Sequence, residues 1–275
     1  MIGEEYSTVI EPHKGLNPFN WREFWRYREL FFILVWRDIK VRYKQTFLGV
    51  AWAIFQPFVS MIVFTLFFGV LVKVPSDNLP YPIFVYAGLL PWTLFSNGLS
   101  RGSMSVLNET NMISKTYFPR LIIPISSFGA GMVDFVISFF IMAVMMFYYG
   151  IIPTLSILVF PLLIFITLIA SIGVSVILAA LTVSYRDVKY ISPFLIQIWM
   201  YATPVIYPVS VVPEKWRWVL SLNPMCGVID GCRSALFGKT FYWNNLLLSA
   251  LISFLLFIVG LIYFKNVEYR FADII

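Results

Sequence analysis

The sequence predicts an all-α integral membrane protein with six transmembrane helices, an N-terminal interfacial amphipathic helix, a re-entrant helical hairpin between helices five and six, and both termini in the cytoplasm. Of its 275 residues, 60% are hydrophobic and only 12% are charged, whereas soluble domains contain about 45–50% apolar and about 25% charged residues. The mean hydropathy is +0.82. So few charged residues cannot cover the surface of a soluble fold of this length. A soluble protein and a nucleic-acid reader are therefore both excluded.

Residues 1–46 are predicted to form a cytoplasmic N-terminal segment. They contain eight Lys or Arg and six Asp or Glu, without the apolar core of a secretory signal. At about 100° per residue, one face of a helix over about 21–44 is aromatic and apolar: Trp21, Trp25, Phe32, Trp36, Ile39 and Tyr43. Basic residues lie on a neighbouring face, which suits a helix in the membrane interface. The alternative is a soluble helix packed on a partner.

Residues 47–275 are predicted to form the transmembrane domain. Because a span needs about 20 apolar residues, the uncharged runs predict six of them, at about 47–71, 83–105, 121–149, 154–183, 191–208 and 243–264. In the fourth span, Ser171, Ser175 and Ala179 follow each other at four-residue spacing. Small residues at this spacing favour close packing of one helix on another.

Basic residues predict the orientation of these spans. Fifteen Lys or Arg belong to the two termini and the loops on the same side, and five belong to the other side. Lys and Arg accumulate in cytoplasmic loops. Both termini are therefore expected in the cytoplasm.

Residues 209–242 form neither a simple loop nor a span. They are too apolar for a loop in water, but the pieces between Pro213, Pro224 and Gly238 are each too short to cross a bilayer. We expect a re-entrant helical hairpin on the outer side. Asp230 and Arg233, three residues apart, are able to pair on one helix face.

The sequence contains no complete catalytic motif. Gly238, Lys239 and Thr240 resemble the end of a phosphate-binding loop, but Arg233 occupies the position where that loop needs its first glycine. No ATPase is therefore expected in this chain. Because His13 is its one histidine, no metal site is expected either. Cys226 and Cys232 are expected as unpaired thiols, with oxidation as the alternative.

Asp134 is the one acidic residue well inside a predicted span. Such residues are functional candidates by default, and a structural hydrogen bond to a neighbouring hydroxyl is the alternative. No basic partner is expected for it within the spans.

Aromatic residues are unusually frequent, with 27 Phe, 15 Tyr and 9 Trp. Rings on spans one and five are candidates for stacking on sugars along a passage; they are Trp52, Phe55, Trp199, Tyr201 and Tyr207. A lipid-facing aromatic belt is the alternative for each of them.

Six motifs then run in order along almost the whole chain. They are RDIKVRYKQTFLGVAW at 37–52 with QP at 56–57, LPWTLFSN at 90–97, ISKTYFPR at 113–120, YRDVKY at 185–190, TPVIYP at 203–208, and LNPM at 222–225 with IDG at 229–231. With these motifs the sequence resembles the membrane-spanning permeases of ABC-2 type exporters, in particular those that move O-antigen, related polysaccharides or teichoic acids.

The resemblance implies a multi-pass permease of the bacterial inner membrane that forms a homodimer. Each copy would dock one cytoplasmic ABC ATPase subunit, which would bind ATP and Mg, so that this chain itself holds no cofactor. The implied cargo is a polysaccharide on an undecaprenyl-diphosphate carrier. The alternatives are an ABC-2 exporter of another cargo, such as a teichoic acid, lipid or drug, a membrane enzyme of glycan assembly, and a passive scaffold.

The resemblance also implies roles for particular residues. The turn at about 106–118 would be a coupling helix, and the second ATPase contact would be at 185–190; the coupling residues are Asn111, Met112, Ser114, Lys115, Tyr117, Arg186 and Asp187. Spans one and five would line the passage. The outer hairpin would be its gate, with Trp216, Trp218, Asp230 and Arg233. The residues expected to steer the diphosphate are Arg37, Lys40, Arg42 and Lys44, and anchoring to anionic headgroups is their alternative role.

Overall fold

A computed structural model of the protein describes residues 21–44 and 51–271, and in these ranges the fold is helical, with no strand. The helices are α1 (Trp21–Arg26), α2 (Arg28–Lys44), α3 (Ala51–Phe64, continued by a π-helical segment Thr65–Leu71), α4 (Tyr81–Asn108), α5 (Thr110–Lys115), α6 (Ile122–Ser126), α7 (Phe128–Tyr148), α8 (Phe160–Ser184, after a 3-10 turn Leu155–Val159), α9 (Val188–Tyr201), α10 (Glu214–Ser221), α11 (Pro224–Phe237) and α12 (Trp243–Val267, followed by a 3-10 turn Glu268–Arg270). Predictions for residues 1–20, 45–50 and 272–275 lie outside the described residues.

Among the residues that the structure describes, four segments are long and apolar enough to cross a membrane. They are Ala51–Leu71, Ile122–Tyr148, Leu155–Ser184 and Trp243–Arg270. They coincide with the first, third, fourth and sixth predicted spans. The prediction of an all-helical membrane protein is therefore confirmed at this level.

The other two predicted spans differ from these four. The second corresponds to α4, whose side chains are largely buried in protein, among them Tyr86 and Phe95 with no exposed surface. The fifth corresponds to α9, which ends at Tyr201 rather than near Pro208. Its 14 residues extend about 21 Å, less than the hydrocarbon thickness of about 30 Å.

Helix α4 packs most closely against α8, through small residues on both helices. A Cβ atom at Gly98 would lie 2.7 Å from the Ser171 Oγ, and one at Gly102 would lie 2.7 Å from the Ser175 Cβ. The Ser171 hydroxyl also donates to the Phe95 carbonyl over 2.8 Å. The predicted close packing of the small residues in the fourth span is thus confirmed. The matching register shows that α4 and α8 run parallel.

Because of this parallel arrangement, the molecule has two chemically different ends. At one end, Val106 of α4, Ile113 of α5, Val183 of α8 and Phe264 of α12 belong to one buried cluster; we call it the α5 end. At the opposite end, Arg233 of α11 contacts the start of α4 through the Phe84 carbonyl; we call it the α11 end. Helix α7 runs antiparallel to α4.

Helices α8 and α12 are in backbone contact at a glycine pair, which leads to a stability prediction. A Cβ atom at Gly260 would lie 2.4 Å from the Gly173 carbonyl oxygen. Gly260→Ala should therefore lower the free energy of unfolding by about 1–3 kcal/mol, because the packed backbones must separate. Differential scanning fluorimetry in detergent should show a lower Tm.

Gly131 on α7 provides the matched control. A Cβ atom there would lie 4.0 Å from its nearest neighbour, Leu94 Cδ1. Gly131→Ala should therefore leave the Tm unchanged or raise it, because alanine favours helix more than glycine does. Equal losses in the two variants would contradict the contact between α8 and α12.

Candidate functional site

Asp134 on α7 accepts contacts from three side chains of two other helices. Its Oδ1 accepts the Tyr43 hydroxyl at 2.5 Å. Its Oδ2 lies 2.5 Å from Arg42 Nη2 and 3.2 Å from Arg101 Nη2. The expectation that Asp134 has no basic partner in the spans is wrong, because Arg42 reaches in from α2 and Arg101 lies on α4. The expected alternative, a bond to a neighbouring hydroxyl, is present through Tyr43.

Tyr43 turns into the bundle instead of joining the membrane-facing stripe predicted for the N-terminal helix. Burial is the main cause that raises the pKa of Tyr43 to about 12, and its hydrogen bond to the Asp134 carboxylate adds to it. The hydroxyl therefore stays protonated and donates at every physiological pH. Trp25, Phe32 and Trp36 are exposed along the outer face of α1 and α2, so three members of the predicted stripe do share a face.

The four residues predicted to steer a diphosphate fall into two pairs. Arg37 contacts Asp38 at 2.9 Å and Glu109 at 2.6 Å, and Arg42 contacts Asp134. Lys40 instead lies over the Trp36 ring, 5.1 Å from its centroid, and Lys44 is exposed. The two lysines have no ion pair with a described residue, so they carry more of the free positive charge of α2 than the two arginines do.

The coupling residues surround the short helix α5. Asn111, Ser114 and Lys115 are exposed there, whereas Met112 is half-buried and Ile113 is buried as the anchor of the helix. Arg186 and Asp187 are exposed in the turn before α9. Because α4 and α8 run parallel, both groups lie at the α5 end.

Tyr117 connects this surface to the N-terminal helix. Its side chain is 61% exposed, and its hydroxyl donates to Glu23 Oε1 over 3.2 Å. Partial burial and the nearby Glu23 carboxylate raise the pKa of the Tyr117 hydroxyl. At the α5 end, α1 and the residues after α5 are therefore joined by a direct contact.

The five aromatic residues predicted for a passage lie in different environments. Trp52, Phe55 and Tyr201 are about half exposed, on α3 and α9, and the rings of Trp52 and Phe55 stack with centroids 5.7 Å apart. Trp199 is fixed in place, because its Nε1 donates to Asn223 Oδ1 over 3.0 Å and its ring packs edge-on against Phe95. The Tyr207 hydroxyl donates to the Tyr201 carbonyl over 3.3 Å.

The residues predicted for an outer gate also lie in different environments. Trp216 and Trp218 are exposed on α10. Asp230 lines a cavity of about 320 Å³ at the α11 end. Cys226 and Cys232 are buried free thiols on α11, which confirms the expectation that they are unpaired.

Arg233 forms no ion pair with Asp230, although the spacing of the two residues allows one. The guanidinium is buried and donates to the carbonyls of Phe84 at 3.3 Å, Pro204 at 2.7 Å and Val205 at 2.6 Å. It also lies 3.7 Å from the centroid of the Phe84 ring. Because α9 ends at Tyr201, the carbonyls that follow need donors from outside the helix. Arg233 supplies them for Pro204 and Val205.

The family model described as ABC-2 type transporter matches residues 29–237, more than half of the chain. The chain belongs to the ABC-2 type transporter family. It is 35% identical over 211 residues to the O-antigen export system permease protein RfbA of Myxococcus xanthus, covering 76% of this chain and 80% of that protein. It is 29% identical over 248 residues to RfbA of Klebsiella pneumoniae, covering 90% and 95%.

A more distant relative is also named as a transport protein. The polysialic acid transport protein KpsM of Escherichia coli is 24% identical over 208 residues, covering 72% of this chain and 78% of that protein. The predicted resemblance is therefore confirmed. As an ABC-2 transporter membrane chain, the protein is a transporter and not itself an enzyme.

The sequence did not predict the contacts of several important residues of this ABC-2 chain. Tyr43 and Arg101 complete the Asp134 cluster, and Asn223 holds Trp199. The signal at Asp134 is an acidic residue inside a span, because such a charge needs compensating groups. The sequence does not give the positions of those groups, since they lie on helices far apart in the chain. Asn223 did carry a local signal, because it precedes Pro224 at the start of a helix, and its side chain caps Met225 N at 3.0 Å.

Proposed function

We propose that the chain is the transmembrane permease subunit of an ATP-driven exporter that moves a lipid-linked polysaccharide, such as O-antigen, across the bacterial inner membrane. The observation that carries this proposal is the similarity to O-antigen export permeases over 90% of the chain and 95% of the relative. The cargo carrier would be undecaprenyl diphosphate, which the resemblance implies. Lys40 and Lys44 are its steering residues, since neither is engaged in an ion pair with a described residue.

The proposed topology has six spans with both termini in the cytoplasm. Helix α4 has 28 residues, about 42 Å, which is long enough to cross the bilayer within the protein. Helix α9 and the turns after it form the fifth crossing. Residues 1–46 form the cytoplasmic segment and 47–275 the transmembrane domain, with α10 and α11 as the re-entrant hairpin. The fifteen-to-five distribution of basic residues supports this orientation.

The proposed ATPase partner binds at the α5 end. Exposed polar residues of α5 and of the turn before α9 lie there together, and the proposed topology puts this end in the cytoplasm, where ATP is available. The ATPase subunit would hold ATP and Mg. Its movement would be transmitted through Ile113, which is buried at the base of α5.

A homodimer would cover the apolar faces of α3 and α9. Within a single chain both helices expose large side chains, including Phe55 and Phe58 on α3 and Phe194 and Ile198 on α9. A patch of this kind marks an interface with protein or lipid. Two copies facing each other would place Trp52, Phe55 and Tyr201 along a shared passage, where rings are able to stack on sugars.

The test is purification of the tagged chain from native membranes in mild detergent after brief crosslinking. A stoichiometric soluble partner with a complete phosphate-binding loop is expected, together with accumulation of carrier-linked glycan inside cells that lack this chain. The partner without glycan accumulation would indicate an ABC-2 exporter of another cargo. Recovery of the chain without an ATPase would contradict the exporter assignment.

A further inference from the structure

Residues 116–121 connect α5 to α6 and form no regular helix; we call them the α5–α6 segment. Tyr117, which is exposed, and Phe118, which is buried, are neighbours on it. The segment therefore carries part of the surface proposed for the ATPase. Because no regular helix fixes its backbone, its position depends on contacts with other elements of the fold.

Arg120 links this segment to the C-terminal end of α12. Its Nη1 donates to the Glu268 carbonyl, which also accepts the Phe271 amide. A carbonyl oxygen has two lone pairs, so it accepts both bonds at once. The Arg120 Cζ also lies 6.0 Å from the centroid of the Phe271 ring. Arg120 is thus held by the backbone and by the ring of one C-terminal turn, residues 268–271.

Phe271 continues this contact into the bundle. Its side chain has no exposed surface, and its ring packs edge-on against Phe264 of α12 with centroids 5.3 Å apart. Phe271 belongs to the same buried cluster as Ile113 of α5 and Phe118 of the α5–α6 segment. Closely packed protein interiors have low compressibility and transmit displacement. The cluster therefore connects α5 mechanically to α12.

We propose that Arg120 and Phe271 clamp the α5–α6 segment onto the end of α12, so that the C-terminal turn positions the surface that binds the ATPase. This inference rests on the proposed ATPase partner. The segment is then held from two sides, by Glu23 of α1 through the Tyr117 hydroxyl and by the C-terminal turn through Arg120. Arg120 is a positioning residue, since it acts on the surface through its neighbours.

The first experiment measures the clamp in the chain alone. Arg120→Met should raise the amide hydrogen-exchange rate of a peptide spanning 113–121 several-fold in the detergent-solubilised chain, because lost contacts lower the free energy of local opening. Arg120→Lys should keep exchange close to that of the unaltered chain, since an ammonium still donates to the Glu268 carbonyl. Unchanged exchange in Arg120→Met would overturn the proposal.

Arg270→Met is the matched control. Arg270 is exposed in the same C-terminal turn, and its Nε donates to the Tyr269 hydroxyl over 2.7 Å. The replacement removes the same charge from the same end of the molecule but leaves the clamp in place. Exchange and ATPase affinity should therefore both stay unchanged. Equal effects of the Arg120→Met and Arg270→Met variants would overturn the proposal, because the lost charge would then explain them.

The second experiment tests whether the clamp acts through the ATPase surface. Arg120→Met should weaken ATPase affinity several-fold in the otherwise unaltered chain. It should have little further effect in a chain that already carries Lys115→Ala and Tyr117→Ala, because the surface that Arg120 positions is lost there. Residues that act through one another give such non-additive effects, whereas the effects of independent residues add.

Equal fold losses of affinity in the two backgrounds would overturn the proposal, since a general loss of stability acts on both. Failure of the unaltered chain to bind an ATPase would instead contradict the proposed function. The exchange experiment contains no ATPase, so its result tests the clamp separately from the partner assignment.

Discussion

Arg233→Met should lower the free energy of unfolding by about 3–5 kcal/mol, because each buried carbonyl that loses its donor costs about 1–3 kcal/mol. The three carbonyls of Phe84, Pro204 and Val205 share this one guanidinium. Methionine fills much of the volume but donates no hydrogen bond. Chemical denaturation in detergent, followed by tryptophan fluorescence, measures the loss. Arg233→Lys should give an intermediate value, since one ammonium cannot reproduce the planar fork.

Arg217→Met is the matched control for this prediction. Arg217 on α10 also donates to backbone carbonyls, those of Val212 at 2.9 Å and Ser210 at 3.3 Å. Its side chain is 41% exposed, so water replaces the lost donor and the change should stay below about 1 kcal/mol. If both variants lost the same stability, Arg233 would not be a specific clamp at the end of α9.

Combined Lys115→Ala and Tyr117→Ala replacements should weaken binding of the ATPase subunit at least about tenfold, the effect of losing roughly 1.4 kcal/mol of interface energy. Both side chains are exposed at the α5 end, so the free chain should fold normally. Export should fall with binding. Titration of the detergent-solubilised chain with the purified ATPase measures the affinity, and the Tm reports on folding.

Two further variants separate the possible causes of such a loss. Lys215→Ala with Tyr242→Ala removes the same residue types from the α11 end, where Tyr242 is 65% exposed, and should leave ATPase binding unchanged. Tyr117→Phe removes only the hydrogen bond to Glu23 and should retain most of the affinity. Unchanged binding in the Lys115 and Tyr117 double variant would contradict the coupling assignment.

Local patterns predicted much of this fold. Four uncharged runs coincide with membrane-length helices, and the four-residue spacing of Ser171 and Ser175 identified the face of α8 that meets α4. Hydropathy does not distinguish a helix facing lipid from one enclosed by protein, so the buried position of α4 could not be predicted. The shortness of α9 was missed for a related reason, because residues after Tyr201 remain apolar although the helix has ended.

The contacts of the charged residues were not predictable in the same way. Asp134 meets residues 91 and 33 positions away, a relation set by the packing of three helices. Asp230 and Arg233 have the spacing of a helical pair, but the carbonyls of Pro204 and Val205, which follow the end of α9, provide a nearer set of partners for the guanidinium. The spacing of opposite charges along one helix therefore predicts an ion pair only when no free backbone carbonyls at the end of a neighbouring helix compete for the basic residue.

The clamp at Arg233 also has a consequence for the order in which the chain is made. All three of its acceptors, Phe84, Pro204 and Val205, precede it in the sequence and leave the ribosome first. When α11 is inserted, the Arg233 guanidinium therefore finds its carbonyl acceptors already present. It does not have to remain unpaired in lipid until a later segment is made. A charge that is expensive to bury is thus placed late in the chain, after the groups that receive it.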